Sequence, residues 1–248
     1  MSERVVDITR AELGAKTRRA FLVAGIASAA GIAGYEWISH RDDGTGISAL
    51  ERRTLNLNGA LSHAYLSDSH LMPEYARSRV ETLKPNGDIG LTDPVDPDWE
   101  LDILTNARPA LSLKLSDVQG LPRRELITRF CCIEGWSTIT QWAGVRFADF
   151  TKKFFPPGQP LPPYVKMTTP DQDYYVGLDM KSALHPQTLL AWELNGSPLT
   201  PQHGAPLRLV IPVKYGIKNI KRIGSIEYTS QRPGDYWAEE GYDWFAGL

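Results

Sequence analysis

The chain has little cysteine and no excess of either charge, and each shortage excludes a class of function. Only two of its 248 residues are cysteine, and they are neighbours, Cys131 and Cys132. Adjacent cysteines do not meet the geometry of an ordinary disulfide, so a secreted fold stapled by cystines is excluded. Lys and Arg number 27 against 29 Asp and Glu, a formal net charge of −2. A dedicated nucleic-acid binder carries a strongly basic surface, and this balance argues against one. Several catalytic signatures are also missing. There is no CxxC, HExxH or histidine cluster for zinc and no GxSxG elbow for a serine hydrolase. No CxxCH is present to attach a c-type haem, and no internal repeat of fixed period appears.

What remains is an ordinary globular composition, 42% hydrophobic and 23% charged, long enough to bury a core without a staple. The first forty residues are organised differently. Lys16-Thr17-Arg18-Arg19 precedes an uncharged stretch from Ala20 to Gly34, rich in alanine and containing Gly25 and Gly31. As a helix that stretch spans roughly 22 Å, short of the ~30 Å hydrocarbon core. Charges, paired arginines and then a short, mildly apolar run form the layout of a twin-arginine export signal. The plainer alternative is a short buried helix that follows two arginines. Ala27-Ser28-Ala29 offers a small-residue cleavage site, whereas Glu36 and Trp37 suit an uncleaved anchor. Residues 1–40 are therefore expected to be signal and tether, and residues 50–248 one domain.

Within that domain Ile47 to Leu66 has helical character, interrupted by Asn56, Asn58 and Gly59. Lys84 to Trp99 is dense in Pro, Gly, Asn and Asp and reads as loop. Strands are predicted at Trp99–Leu104, Leu111–Leu115, Tyr164–Met167, Leu207–Val213 and Ile223–Tyr228. Ser116-Asp117 is placed to cap a short helical turn, and Val145–Phe155 reads as helix. His185–Glu193 suits either strand or helix. Glu125–Ile133 reads as a buried strand that delivers the two cysteines to a loop. Five prolines between Pro156 and Pro163 impose an extended connection. Pattern and loop density give a mixed α+β domain.

Two segments carry chemistry. In the first, Arg129-Phe-Cys-Cys-Ile-Glu-Gly-Trp-Ser137, neighbouring strand residues point to opposite faces, so one cysteine can be core while the other meets a cavity. A free cysteine is most often just a small buried hydrophobe. In the second, His203-Gly-Ala-Pro-Leu-Arg208 runs into a turn that holds Lys214, Lys218, Lys221 and Arg222. Four cations beside Gly216 favour a bound anion such as phosphate, although on charge alone a solvated basic hairpin is the better reading. The aromatic tail, Tyr236 to Phe245, is either a docking patch or a segment that packs back on the domain.

Together the two segments, RFCCIEGWS and HGAPLRLVIPVKYGIKNIKRI, resemble the sulfite oxidase-type molybdopterin oxidoreductases. The likeness runs from about Leu55 to Thr229 and is nearest the catalytic subunits of periplasmic protein-methionine-sulfoxide reductases. It implies a sulfite oxidase-type molybdopterin-binding fold of mixed sheets and short helices, here without the immunoglobulin-like dimerisation domain. It implies Mo-molybdopterin as cofactor and Cys132 as metal ligand and catalytic residue, since the family's Cys-x-Glu-x-Trp-Ser pattern falls on Cys132, Glu134, Trp136 and Ser137. Cys131 is left with a structural role. Further cofactor contacts carried over are Thr169, which follows Tyr164-Val165, His203 and Arg208, and the turn of Asn219, Ile220 and Lys221, with Lys218 balancing phosphate charge. The resemblance implies a periplasmic or other extracytoplasmic location, free or tethered by an uncleaved signal. It also implies a monomeric catalytic subunit fed by a membrane haem b subunit or a soluble cytochrome, acting on a small-molecule or protein sulfoxide. His203 stands where the reductases carry asparagine and sulfite oxidases histidine, so oxidation of a sulfur substrate is an alternative, as is a metal-free exported binding module.

Overall fold

The computed structural model describes residues 10–39, 47–91, 93–106 and 108–248. Its contacts divide the chain into a leading unit ending at Thr54 and a second unit, Leu55–Leu248. Of residues 1–40, expected to be signal and tether, residues 1–9 and 40 lie outside the described residues. In the leading unit α1 (Arg10–Ser39) is longer than the apolar stretch suggests. Its part from Gly14 to Ser39 has 26 residues and holds an 18-residue window of mean hydropathy 1.4, long and apolar enough by length and composition to cross a membrane. The physical reason is the flanks: alanine-rich sequence carries the helix through Arg18-Arg19 at one end and Glu36 at the other. A signal sequence meets the same description.

Helix α2 (Ala49–Tyr65) is unbroken. Gly59, expected to interrupt it, is buried where a Cβ would come within 2.9 Å of an Asp243 carboxylate oxygen. The remaining elements, in chain order, are β1 (Leu101–Thr105), β2 (Arg108–Leu113), α3 (Leu115–Gln119), β3 (Arg123–Cys131), β4 (Ser137–Arg146) and α4 (Phe147–Phe154). They continue with β5 (Tyr164–Thr168), β6 (Tyr175–Asp179), α5 (Met180–Ala183), β7 (Leu189–Leu194), β8 (Ser197–Pro198), β9 (Arg208–Val210), β10 (Ser225–Thr229) and α6 (Tyr236–Glu239).

The first sheet has the order β2-β1-β10-β5-β6. Strand β10 pairs parallel with β1 and antiparallel with β5. Alternation sends Leu101, Ile103, Val165, Met167, Ile226 and Tyr228 inward. Helix α4 adds Phe147 and Phe150, and Thr151 shares a 2.8 Å hydroxyl hydrogen bond with Tyr228. Each of these large side chains contributes about 1.5–3 kcal/mol by leaving water. The second sheet runs β3-β4-β7-β8, with β9 also on β7.

Strands β4 and β6 have no counterpart in the sequence reading. The start of β4, Ser-Thr-Ile-Thr-Gln, resembles turn more than core, yet β3 and β7 enclose it and bury Ile139–Val145. A register shift at Ala143/Gly144 brings Leu190 so close that a Cβ on Gly144 would sit 2.0 Å from its carbonyl oxygen. The helix expected from Val145 begins at Phe147 because β4 holds the backbone through Arg146. His185–Glu193 resolves to strand β7 over its second half.

Candidate active site

The turn between β3 and β4 presents the second cysteine. The Trp136 carbonyl accepts from the Cys132 N–H (2.9 Å), the Cys132 carbonyl accepts from the Gly135 N–H (3.1 Å), and Gly135 takes φ 89°. Cys131 ends β3 half-buried, its thiol pKa raised by burial against the pull of Arg129. Cys132 is buried at the wall of a half-open cavity of ≈ 170 Å³. The cavity also takes in Asn86, Trp136, Arg208, Asn219 and Lys221. Asn86 comes from the loop 46 residues earlier. Its side-chain amide lies 3.7 Å from Cys132 Sγ and donates to Glu134 Oε2 at 3.2 Å. The Trp136 indole N–H donates to the same oxygen at 3.0 Å, and these bonds hold the Glu134 carboxyl below the usual carboxylate range.

Opposite the thiol, β9 and the following turn supply positive charge. Arg208 is 2% exposed. Its Nη1 donates to the His203 carbonyl (2.9 Å), its Nη2 to the Asn219 carbonyl (3.1 Å), and Nε has no partner. The guanidinium lies 4.7 Å from the Trp142 ring centroid, and among the described residues no carboxylate pairs with it. Burial pushes its pKa down to about 9, so the charge persists at neutral pH. A buried, unpaired cation costs several kcal/mol unless an anion joins it. Lys221 Nζ donates to the carbonyls of Asn86 (2.8 Å), Gly87 (2.8 Å) and Gln202 (3.0 Å), and burial, then Arg208, lower its pKa to about 8. Gly204, at φ 95°, has no room for a Cβ against Lys221 and lets the turn close on β9.

Of the residues expected to make the site, the fold brings Cys132, Arg208, Asn219 and Lys221 to one cavity. The others take different places. Ile220 is core, its carbonyl accepting from Leu209 N–H. The His203 ring faces away: Nε2 lies 3.1 Å from the Leu83 carbonyl and Nδ1 2.8 Å from Thr200 Oγ1. That pair requires the Nε2–H tautomer, and burial lowers the pKa, so the ring is neutral. Thr169 donates to Asp171 (2.6 Å) and lies under Gly90, beside a separate cleft of ≈ 740 Å³. Lys218, expected to balance phosphate charge, has a protein carboxylate beside it. It is fully buried, with Nζ on Asp235 Oδ2 (2.5 Å) and the Gly177 carbonyl (2.9 Å), so its charge is already neutralised.

The sequence reading missed Asn86, Tyr174, Trp237 and Tyr242, all of which reach the cavity. The polar loop around Asn86 and the aromatic tail hinted at Asn86, Trp237 and Tyr242, and no signal pointed to Tyr174. The donor set suits a sulfur-rich, anionic ligand with a metal: a soft thiol on one side, an unpaired guanidinium and an ammonium on the other, and aromatic walls between. The cavity alone is smaller than a substituted pterin. A second hollow of ≈ 380 Å³ lies along Asn86 and Gly87, the strap that Lys221 holds.

The family model described as the oxidoreductase molybdopterin binding domain matches residues 89–237. Among curated proteins the chain is 41% identical over 134 residues to Putative protein-methionine-sulfoxide reductase subunit YedZ1 of Azospira oryzae, covering 54% of this chain and 50% of that one. It is 37% identical over 169 residues to the protein-methionine-sulfoxide reductase catalytic subunit MsrP of Campylobacter jejuni, covering 60% and 56%. The protein of the same name from Xanthomonas campestris is 36% identical over 171 residues, covering 59% and 52%. The chain thus spans about half the length of the curated relatives it matches. Among solved structures, the sulfane dehydrogenase SoxCD of Paracoccus pantotrophus overlays with a TM-score of 0.48 at 18% identity, covering 54% of this chain and 39% of that one.

Proposed function

The chain belongs to the family of oxidoreductase molybdopterin-binding domains, and from that premise we propose that it is the catalytic part of an exported molybdenum enzyme that reduces sulfoxides. Methionine sulfoxide in proteins is the substrate and a membrane haem b subunit the electron donor. The observation that carries this reading is the buried Cys132 sulfur facing Arg208, Asn219 and Lys221 across one cavity. Relatives named as methionine-sulfoxide reductase subunits support the direction of the reaction. Paired Arg18-Arg19 before the apolar stretch of α1 support export of a folded, cofactor-loaded protein.

In this reading Cys132 holds the metal through its sulfur, and the β3–β4 turn with Asn86 fixes its position. Arg208, Asn219 and Lys221 would hold the anionic part of the cofactor. His203 acts through its carbonyl, which aims Arg208, and Lys218 acts through Asp235. Thr169 secures the Asp171–Tyr174 turn, whose Tyr174 reaches the cavity. The cofactor supplies a two-electron centre able to accept an oxygen atom. Overall a sulfoxide, two electrons and two protons become a sulfide and water, and methionine oxidation is a lesion that such a reaction reverses. The sulfite-oxidising alternative rests in part on His203, whose ring is bound to Leu83 and Thr200.

The test is metal content and turnover of protein purified from cells that make the cofactor. About one molybdenum per chain is expected, with oxidation of a reduced dye that depends on a sulfoxide. Protein without metal, or turnover of sulfite alone with an oxidised dye, refutes the proposal.

A further inference from the structure

The proposed cofactor contacts use the charged side of the cavity and leave its other side unexplained. That side is apolar and aromatic: Phe130, Ile133 and Trp136 near the thiol, and Trp237 and Tyr242 from the tail. The tail is built to hold these rings still. Asp235, itself buried, accepts from the Ala238 and Gly177 N–H groups (3.1 Å each) and from Lys218 (2.5 Å), which pins the start of α6 to the core. The Trp237 ring then meets Tyr236 edge-on at 5.4 Å and Tyr242 at 5.2 Å. The Trp237 carbonyl accepts from the Tyr242 N–H at 2.8 Å. Phe130 and Trp136, 5.8 Å apart, continue the wall around Cys132.

A rigid aromatic face beside a sulfur-binding centre suits one kind of group. The methyl and methylene groups beside the sulfur of a dialkyl sulfoxide gain by packing on rings, while its polar S–O end needs the charged side of the cavity. Ile133 and Tyr242, 36% and 38% exposed, sit at the rim, so the wall is reachable by a side chain carried on a polypeptide. We propose that Trp237, backed by Tyr242, is a specificity-determining residue that receives the methyl–sulfur end of a dialkyl sulfoxide such as an oxidised methionine side chain. This rests on the sulfoxide-reducing reading and names the group within the protein that selects the substrate. Asp235 and Lys218 are positioning residues for that wall.

The experiment uses the molybdenum-loaded full chain and two variants, Trp237→Phe and Trp237→Leu. With N-acetyl-methionine-sulfoxide methyl ester as substrate, Trp237→Leu raises KM about ten-fold, the larger part of the loss falling on KM rather than kcat, and Trp237→Phe restores most of it. A second measurement needs no turnover. Binding of the thioether N-acetyl-methionine methyl ester, followed by nuclear magnetic resonance, weakens about ten-fold in Trp237→Leu and little in Trp237→Phe. Wild-type protein that binds the thioether through Trp237 yet reduces no sulfoxide would overturn the proposed reaction and keep the wall. Equal KM and equal thioether affinity in wild type and Trp237→Leu would overturn the wall, whatever the turnover.

Discussion

Replacing Asp235 by asparagine isolates the charge that the fold has hidden most completely. Asp235 and Lys218 side chains are 1% and 0% exposed and pair at 2.5 Å. Asparagine keeps the shape and an oxygen for the Ala238 N–H but strands the lysine among the Gly177 carbonyl and the Trp244 ring, 4.7 Å away. Breaking one side of a buried pair costs about 3–5 kcal/mol. In a unit of this size each kcal/mol moves the midpoint by about 2–4 °C, so Asp235→Asn should melt about 6–20 °C lower.

Two refinements make this test sharp. Burial already lowers the Lys218 pKa, with Asp235 opposing it, so without Asp235 the ammonium sheds its proton more readily. The unfolded chain then holds the extra proton, and the variant gains stability as pH rises, narrowing the gap to wild type. Adding Lys218→Met to Asp235→Asn removes both charges and should recover much of the loss. Thermal melts by circular dichroism at several pH values, with the double-mutant cycle, read all three effects. A midpoint within about 2 °C of wild type, or strictly additive variants, would refute a buried ion pair at this place.

Three other outcomes are expected. Cys132→Ser abolishes molybdenum retention and turnover, whereas Cys131→Ser keeps metal and loses only stability; metal analysis decides, and equal complete loss in both refutes the assignment. Lys214, buried against Phe245, has its pKa lowered from an ordinary 10.5 to about 7, chiefly by burial. The unfolded chain binds the extra proton between those values, so wild-type stability relative to Lys214→Met should rise from about pH 7 to 10.5. A flat difference in denaturant midpoints would contradict this. Gly144→Ala forces β4 and β7 apart and should cost about 3 kcal/mol, measured by chemical unfolding.

The parts of this protein that could be read along the chain are those set by covalent neighbours. Alternation along a strand set the two neighbouring thiols on different faces, and Lys214, Lys218, Lys221 and Arg222 beside Gly216 already described a cationic turn. The alternation of β1, β5 and β10 was visible because one face of each is core. Strands β4 and β6 were hidden, since their burial comes from neighbours distant in sequence rather than from their own pattern.

The same limit explains the site. A lysine in a basic run looks identical whether it meets a phosphate or a carboxylate; packing gave Lys218 to Asp235, 17 residues further on. Asn86 reaches Cys132 across 46 residues, and the tail turns back to wall the cavity with Trp237 and Tyr242. Such meetings are chosen by the burial and pairing of whole surfaces, a property of the folded chain and not of any short stretch of it.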